Sequence, residues 1–160
     1  MPKVVIIDYG LANLRSVINA ISCFPVDVVV AEKGEELSDA DFIILPGVGH
    51  FGAGMRALRD RNFISWLEKT VLNGEKPFLG ICLGLQFMFE GSAESDERGF
   101  GWLKGMVRRF DEGKGIKVPH MGWSEVSVRN RGGIFLWTDG PVDFYFVHGF
   151  YVPMNGEAER

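Results

Sequence analysis

The sequence predicts an α/β fold, a doubly wound and mostly parallel sheet with antiparallel hairpins in its C-terminal half. Three observations carry the prediction. Val4 to Ile7 is an unbroken β-branched run with no polar alternation, as a strand covered on both faces requires. Through the first ninety residues such runs alternate with segments whose apolar residues fall at helical spacing, the signature of repeated βα units. After Gly91 the strand-like pieces become shorter, and turn signals such as Asn130-Arg131-Gly132-Gly133 separate them.

Val4 to Ile7 reads as the first, central strand, ending at Asp8-Tyr9-Gly10. Asn13 is placed to cap a helix from Leu14 to Phe24, because Leu14, Val17, Ile18 and Ile21 share one face before Pro25 stops it. Val26 to Val30 gives a second strand. A third, Phe42 to Leu45, opens after Asp41 and runs into the loop Pro46-Gly47-Val48-Gly49-His50-Phe51-Gly52. Met55, Leu58, Phe63, Trp66, Leu67 and Val71 supply the apolar face of a further helix that Asn73-Gly74 terminates. Pro77 to Ile81 is a short buried strand, and Leu83 to Phe89 continues as an inward-packed helix. Glu94, Asp96, Glu97 and Arg98 make a polar loop, followed by strands at Met106 to Phe110, Ser124 to Val128, Ile134 to Trp137 and Phe144 to Val147.

Length and composition narrow the function. The 160 residues fit one domain able to bury a core. Seventeen basic against 21 acidic residues leave a net charge of −4, with the basic ones scattered rather than striped, so nucleic acid is a poor partner. The two cysteines, Cys23 and Cys82, lie far apart without Cys/His ligand spacing, which argues against a disulfide framework and a metal site and for a reducing cytoplasm. The longest uncharged apolar stretch, Pro77 to Phe89, is too short and glycine-broken to span a bilayer, and no signal peptide is visible.

The richest stretch is Gly80-Ile81-Cys82-Leu83-Gly84-Leu85-Gln86, where a thiol sits between two glycines as a strand hands over to a helix. This is the layout of a nucleophile elbow: glycines admit the tight turn and the substrate, and a helix N-terminus favours thiolate over thiol. The competing reading of a free Cys is a small buried hydrophobe. Cys23, inside an apolar helical segment, is expected to be inert core. An acyl-transferring thiol needs an oxyanion hole, for which the N–H of Leu83 and a rotated amide of Val48 are the candidates. Taken alone, Pro46-Gly47-Val48-Gly49 also reads as an ordinary tight turn.

Asp8-Tyr9-Gly10, Asn13-Leu14-Arg15-Ser16-Val17, Leu45-Pro46-Gly47-Val48-Gly49, the Cys82 elbow, Val118-Pro119-His120-Met121-Gly122-Trp123 and Tyr145-Phe146-Val147-His148-Gly149 occur here in order. Together they resemble the class I glutamine amidotransferases, of flavodoxin-like fold, and among them the glutaminase subunit of imidazole glycerol phosphate synthase. The resemblance implies hydrolysis of L-glutamine and delivery of ammonia to a (β/α)8 cyclase subunit in histidine biosynthesis, with no cofactor. It implies Cys82 as nucleophile and Val48 and Leu83 as oxyanion donors. Gly47, Gly49, Gln86, Glu94 and the backbone at Gly149 and Phe150 are then substrate contacts, and Asn13, His120 and Trp123 face the cyclase. For Trp123 the alternative is a core aromatic.

Two departures accompany the resemblance. Gly149-Phe150 stands where the family carries a hydroxyl residue and Tyr, so a backbone contact can survive there and a hydroxyl contact cannot. The 160 residues also contain no His-x-Glu segment, the family's source of base and orienting carboxylate, and hold only His50, His120 and His148. His50 reads as a solvated loop residue, and His120 and His148 as hydrogen-bonded structural residues. The chain is therefore expected not to turn over glutamine by itself. A silent binding module, and a paralogous amidotransferase feeding a sugar-modifying synthetase, remain as alternatives.

Overall fold

The computed structural model describes residues 1–74, 76–115, 117–128 and 140–153. The strand expected at Ile134 to Trp137 and the Asn130 to Gly133 turn lie outside them. The described residues divide into one unit formed by Met1–Arg108 with Val152 and Pro153, and another within Arg109–Tyr151.

The first unit is built on a parallel sheet of β1 (Lys3–Ile7), β2 (Asp27–Ala31), β3 (Phe42–Gly47) and β4 (Phe78–Cys82), in the order β2-β1-β3-β4. Its two faces bury different residues of the same strands, so continuous apolar runs outcompete alternating ones here. On one face Val5, Ile7, Ile43 and Leu45 pack with Phe51, Met55, Leu58, Phe63 and Leu67 from helices α2 (Phe51–Asp60) and α3 (Phe63–Leu67). On the other, Val4, Ile6 and Ile44 meet Leu14, Val17, Ile18 and Ile21 of α1 (Leu14–Ile21). Each such side chain contributes roughly 1.5–3 kcal/mol when fully buried. The α1 face is less covered: Leu79 and Ile81 of β4 remain 39% and 37% exposed.

Local chemistry moves several expected boundaries. α1 stops at Ile21 rather than Phe24, because the Ser22 backbone N–H and hydroxyl both donate to the Ile18 carbonyl and close the last turn. Asn13 precedes α1 but makes no side-chain capping bond. β3 continues two residues beyond Leu45, with Pro46 and Gly47 in register with Ile81 and Cys82. The single helix expected from Met55 to Val71 is split. Asn62 adopts left-handed geometry (φ 59°, ψ 25°), which an Asn tolerates, and a π-helical turn at Glu68–Leu72 follows α3. The break lets Arg61 donate to the Asp8 carbonyl at 2.7 Å, tying the helix layer to the carboxyl end of β1.

The remaining strands are β5 (Gly91–Ser92), antiparallel to β6 (Ser95–Arg98) and parallel to β7 (Met106–Arg109), whose last residue begins the second unit. The polar stretch expected as a loop is thus partly strand. Its charges do not oppose pairing because Glu97 turns to α2 and binds Arg56 at 3.2 Å and Arg59 at 3.1 Å. Arg59 first, and Arg56 with it, holds the Glu97 carboxyl below the ordinary range. A depressed carboxylate stabilises above its unfolded pKa, so this clamp is present at neutral pH and lost as pH falls through its folded value.

In the second unit β8 (His120–Val126) and β9 (Val142–His148) form an antiparallel ribbon, paired from His120↔His148 to Val126↔Val142, with a short β10 (Phe150–Tyr151) beyond. The ribbon begins four residues earlier than the sequence alone suggests. Cross-strand aromatic pairs such as Trp123–Tyr145, 5.5 Å between centroids and edge to face, hold its length.

Candidate active site

Cys82 ends β4 and immediately precedes α4 (Leu83–Gln86). Its own backbone carries the strain of the turn, at φ 54° and ψ −112°, in a region that a residue with a Cβ rarely enters and that marks functional sites. The flanking glycines do a different job from the one expected: neither has positive φ, and both permit backbones to touch. A Cβ on Gly80 would stand 2.7 Å from the Gly84 carbonyl and the Leu85 amide, and one on Gly84 would collide with the Leu45 carbonyl. The thiol is exposed, which excludes the buried-hydrophobe reading. Cys23 is exposed as well, with its sulfur 3.6 Å from the Asn19 carbonyl; it lies beyond the end of α1 and is not core. α4 is one turn instead of the longer helix expected, so few peptide dipoles align behind the sulfur.

The neighbouring β3 ends beside this turn, with Gly47 paired to Cys82. Gly47 is obligatory in this packing, since a Cβ there would meet the Tyr9 hydroxyl at 2.5 Å and the Gly84 amide at 2.9 Å. Of the two expected oxyanion donors, Leu83 presents its N–H in the first turn of α4, where helical geometry supplies no acceptor. The Val48 N–H is engaged instead, donating to the Leu11 carbonyl at 2.9 Å. Gly49 follows at φ 94° with open space around it, a conformation suited to a peptide that must turn.

Glu94 is partly buried and accepts the Phe51 N–H at 2.6 Å, at the N-terminus of α2. His50 caps the same helix, its Nδ1 accepting the Gly52 N–H at 3.1 Å, so this exposed loop histidine has a structural task. Gln86 closes α4 half-buried. A concavity of about 950 Å³ is lined by Glu90, Ser92, Glu94, Glu97, Phe100 and Met106 among others, and Cys82 does not line it.

Tyr9 is the residue that sequence reasoning missed. It is buried against Phe87, with no hydrogen-bond partner for its hydroxyl among the described residues. Burial, and secondarily the charge of Cys82, push its phenol well above the ordinary range. A buried unpaired hydroxyl costs roughly 1–3 kcal/mol. Tyr9→Phe should therefore raise the urea midpoint at unchanged slope, a gain of about 1 kcal/mol; an equal loss would show that the hydroxyl has a partner.

On the second unit's ribbon, Met121, Trp123, Tyr145 and Val147 are exposed on one face, Trp123 to 72%, which overturns the core reading of Trp123. Strand alternation turns His120 to the opposite face, so it does not share a surface with Trp123. His120 Nδ1 lies 3.1 Å from His148 Nε2, and its Nε2 lies 3.1 Å from the Ser124 hydroxyl. His148 Nδ1 lies 2.7 Å from the Phe150 carbonyl. Asn13 is exposed.

The family pattern described as Glutamine amidotransferase class-I matches residues 5–159. The chain belongs to the class I glutamine amidotransferases. Within this amidotransferase family it is 44% identical over 154 residues to an imidazole glycerol phosphate synthase subunit HisH of Trichormus variabilis, covering 95% of this chain and 72% of that one. The HisH subunit of Acaryochloris marina is 42% identical over 154 residues, with 95% and 71% covered. A solved glutamine amidotransferase structure superposes with a TM-score of 0.72 over 96% of this chain and 75% of its own, at 18% identity, a likeness of fold. The amidotransferase fold thus accounts for the parallel sheet, the antiparallel strands that follow it and the elbow at the end of β4. Among the described residues, no helix is long and apolar enough to cross a membrane.

Proposed function

We propose that residues 1–160 form one glutamine amidotransferase domain of the cytoplasmic glutaminase subunit that pairs as a heterodimer with the (β/α)8 cyclase of imidazole glycerol phosphate synthase. The observation that carries the reading is Cys82 at positive φ on a strand-to-helix turn, in a chain more than 40% identical to named HisH subunits.

In this reading the Cys82 sulfur attacks the side-chain amide carbon of glutamine. The oxyanion is held by the Leu83 N–H and, once the Gly47–Val48 peptide turns away from Leu11, by the Val48 N–H. Collapse expels the amide nitrogen, which takes up the proton given up by the Cys82 thiol and leaves as ammonia, and the γ-glutamyl thioester remains on Cys82. Water then cleaves the thioester to glutamate and restores the thiol. In the first unit Gln86 and Glu94 are the candidate contacts to the amino acid and Asn13 a candidate cyclase contact; in the second, the backbone at Gly149 and Phe150 and the exposed Trp123 are the respective candidates.

The second reading, a binding module that does not hydrolyse glutamine, is supported by the three histidines. His50 caps α2, and His120 and His148 already engage each other on the ribbon. Ammonia release, measured with the cyclase and its nucleotide substrate present, separates the two. A chain extended through a His-x-Glu segment should turn over and be stimulated by the cyclase, whereas the 160 residues alone should not. Turnover by the 160-residue chain would return the base role to one of its own histidines; an inactive extended chain would favour the binding module.

A further inference from the structure

We infer that Ser124, His120 and His148 form a directional hydrogen-bond relay whose task is to position the Gly149–Phe150 segment; its substrate role rests on the glutaminase reading above. The direction follows from the last acceptor. The Phe150 carbonyl can only accept, so His148 must carry its proton on Nδ1, 2.7 Å away. In the neutral imidazole the Nε2 of His148 is then an acceptor, and the atom facing it at 3.1 Å, His120 Nδ1, is the donor. That leaves His120 Nε2 as an acceptor, and the Ser124 hydroxyl, 3.1 Å away, donates to it. One carbonyl thereby sets every proton in the chain.

The surroundings keep the rings in place. Phe146 stacks on His120 at 5.2 Å with 25° between planes, and Phe110 meets His148 at 5.3 Å. The Phe110 N–H donates to the Gly149 carbonyl at 3.1 Å, so consecutive carbonyls at Gly149 and Phe150 are each fixed by a separate donor. Phe150 lies in the strand-paired β10, and neither it nor Gly149 has a hydrogen-bonding side chain to orient these carbonyls further. The relay adds a side-chain donor at the Phe150 carbonyl, and His120 and His148 are positioning residues for a main-chain glutamine contact rather than bases.

The variant that isolates the claim is His120→Phe, which keeps a ring against Phe146 and removes the donor to His148. The Nε2 of His148 is then free to take the proton, which releases the Phe150 carbonyl. Long-range ¹⁵N–¹H spectra of the parent should show His148 protonated on Nδ1 and His120 on Nδ1. His120→Phe should mix the His148 tautomers, and His120→Gln, whose amide can donate, should restore the parent pattern. In the functional arm a chloroketone analogue of glutamine labels Cys82. His120→Phe should raise its half-saturating concentration about tenfold with the limiting rate within about twofold, while His120→Gln stays near the parent. A parent His148 protonated on Nε2 alone would overturn the relay, and an unchanged half-saturation in His120→Phe would overturn its substrate role. If labelling of the parent does not saturate at all, the glutaminase reading fails and the substrate role with it, and the tautomer spectra alone decide whether the relay exists.

Discussion

A glutamine-shaped chloroketone should attach to Cys82 and leave Cys23 unmodified, whereas a small unselective reagent such as iodoacetamide should reach both. This outcome is expected because both thiols are exposed, so accessibility does not distinguish them. What distinguishes them is the elbow. Cys82 stands at φ 54° beside Gly47 and Leu83, where a carbonyl can be offered to its sulfur, whereas Cys23 follows a surface helix with its sulfur against the Asn19 carbonyl. Cys82→Ser should lower the chloroketone rate by about a thousandfold or more, since an unactivated hydroxyl is a far poorer nucleophile than a thiolate. Peptide mass spectrometry reads both sites at once. Equal modification of Cys23 by the analogue, or labelling that survives Cys82→Ser, would remove Cys82 from the nucleophile's role.

Gly84→Ala should unfold the elbow rather than merely slow it. The added methyl would overlap the backbone carbonyl of Leu45, in the middle of β3, and neither that carbonyl nor the short α4 can move without breaking the β3–β4 pairing. Overpacking against flexible side chains usually costs about 1–3 kcal/mol, and a backbone neighbour places this substitution at about 3 kcal/mol or beyond. Gly140→Ala, with open space around it, is the control and should stay within about 0.5 kcal/mol of the parent. Urea denaturation measures both, and a Gly84→Ala midpoint indistinguishable from that of the control would mean that the close approach between β3 and the elbow is relaxed in solution.

The Cys82 elbow was legible because a strand-to-helix turn with small residues on either side leaves a local pattern, Gly-x-Cys-x-Gly after an apolar run. The roles inside that pattern were not. Strain falls on Cys82, and Gly80 and Gly84 serve contacts with segments that are distant in sequence or visible only after the chain folds back. The apolar run from Leu83 to Phe89 reads as one helix because apolar content alone does not separate a buried helix from a buried turn. In the structure α4 ends at Gln86, and Phe87 packs against Tyr9, Phe51 and Phe100 instead. The relay from Ser124 through His120 to His148 was out of reach for a related reason, since His120 and His148 meet only through strand register.

Sequence alone determined the parallel sheet, the order of its βα units, the family and the elbow motif that carries Cys82. Each depends on side-chain periodicity or on a compact motif, and both are written along the chain. Tertiary structure alone decided that the Val48 N–H is spent on Leu11, that Glu94 is held by the end of α2, that the Tyr9 hydroxyl finds no hydrogen-bond partner among the described residues, and that His120 and Trp123 look in opposite directions. These are choices of partner. A backbone amide, a carboxylate or an imidazole can satisfy itself with whichever group arrives opposite it, and that group is set by packing between segments that periodicity does not bring together.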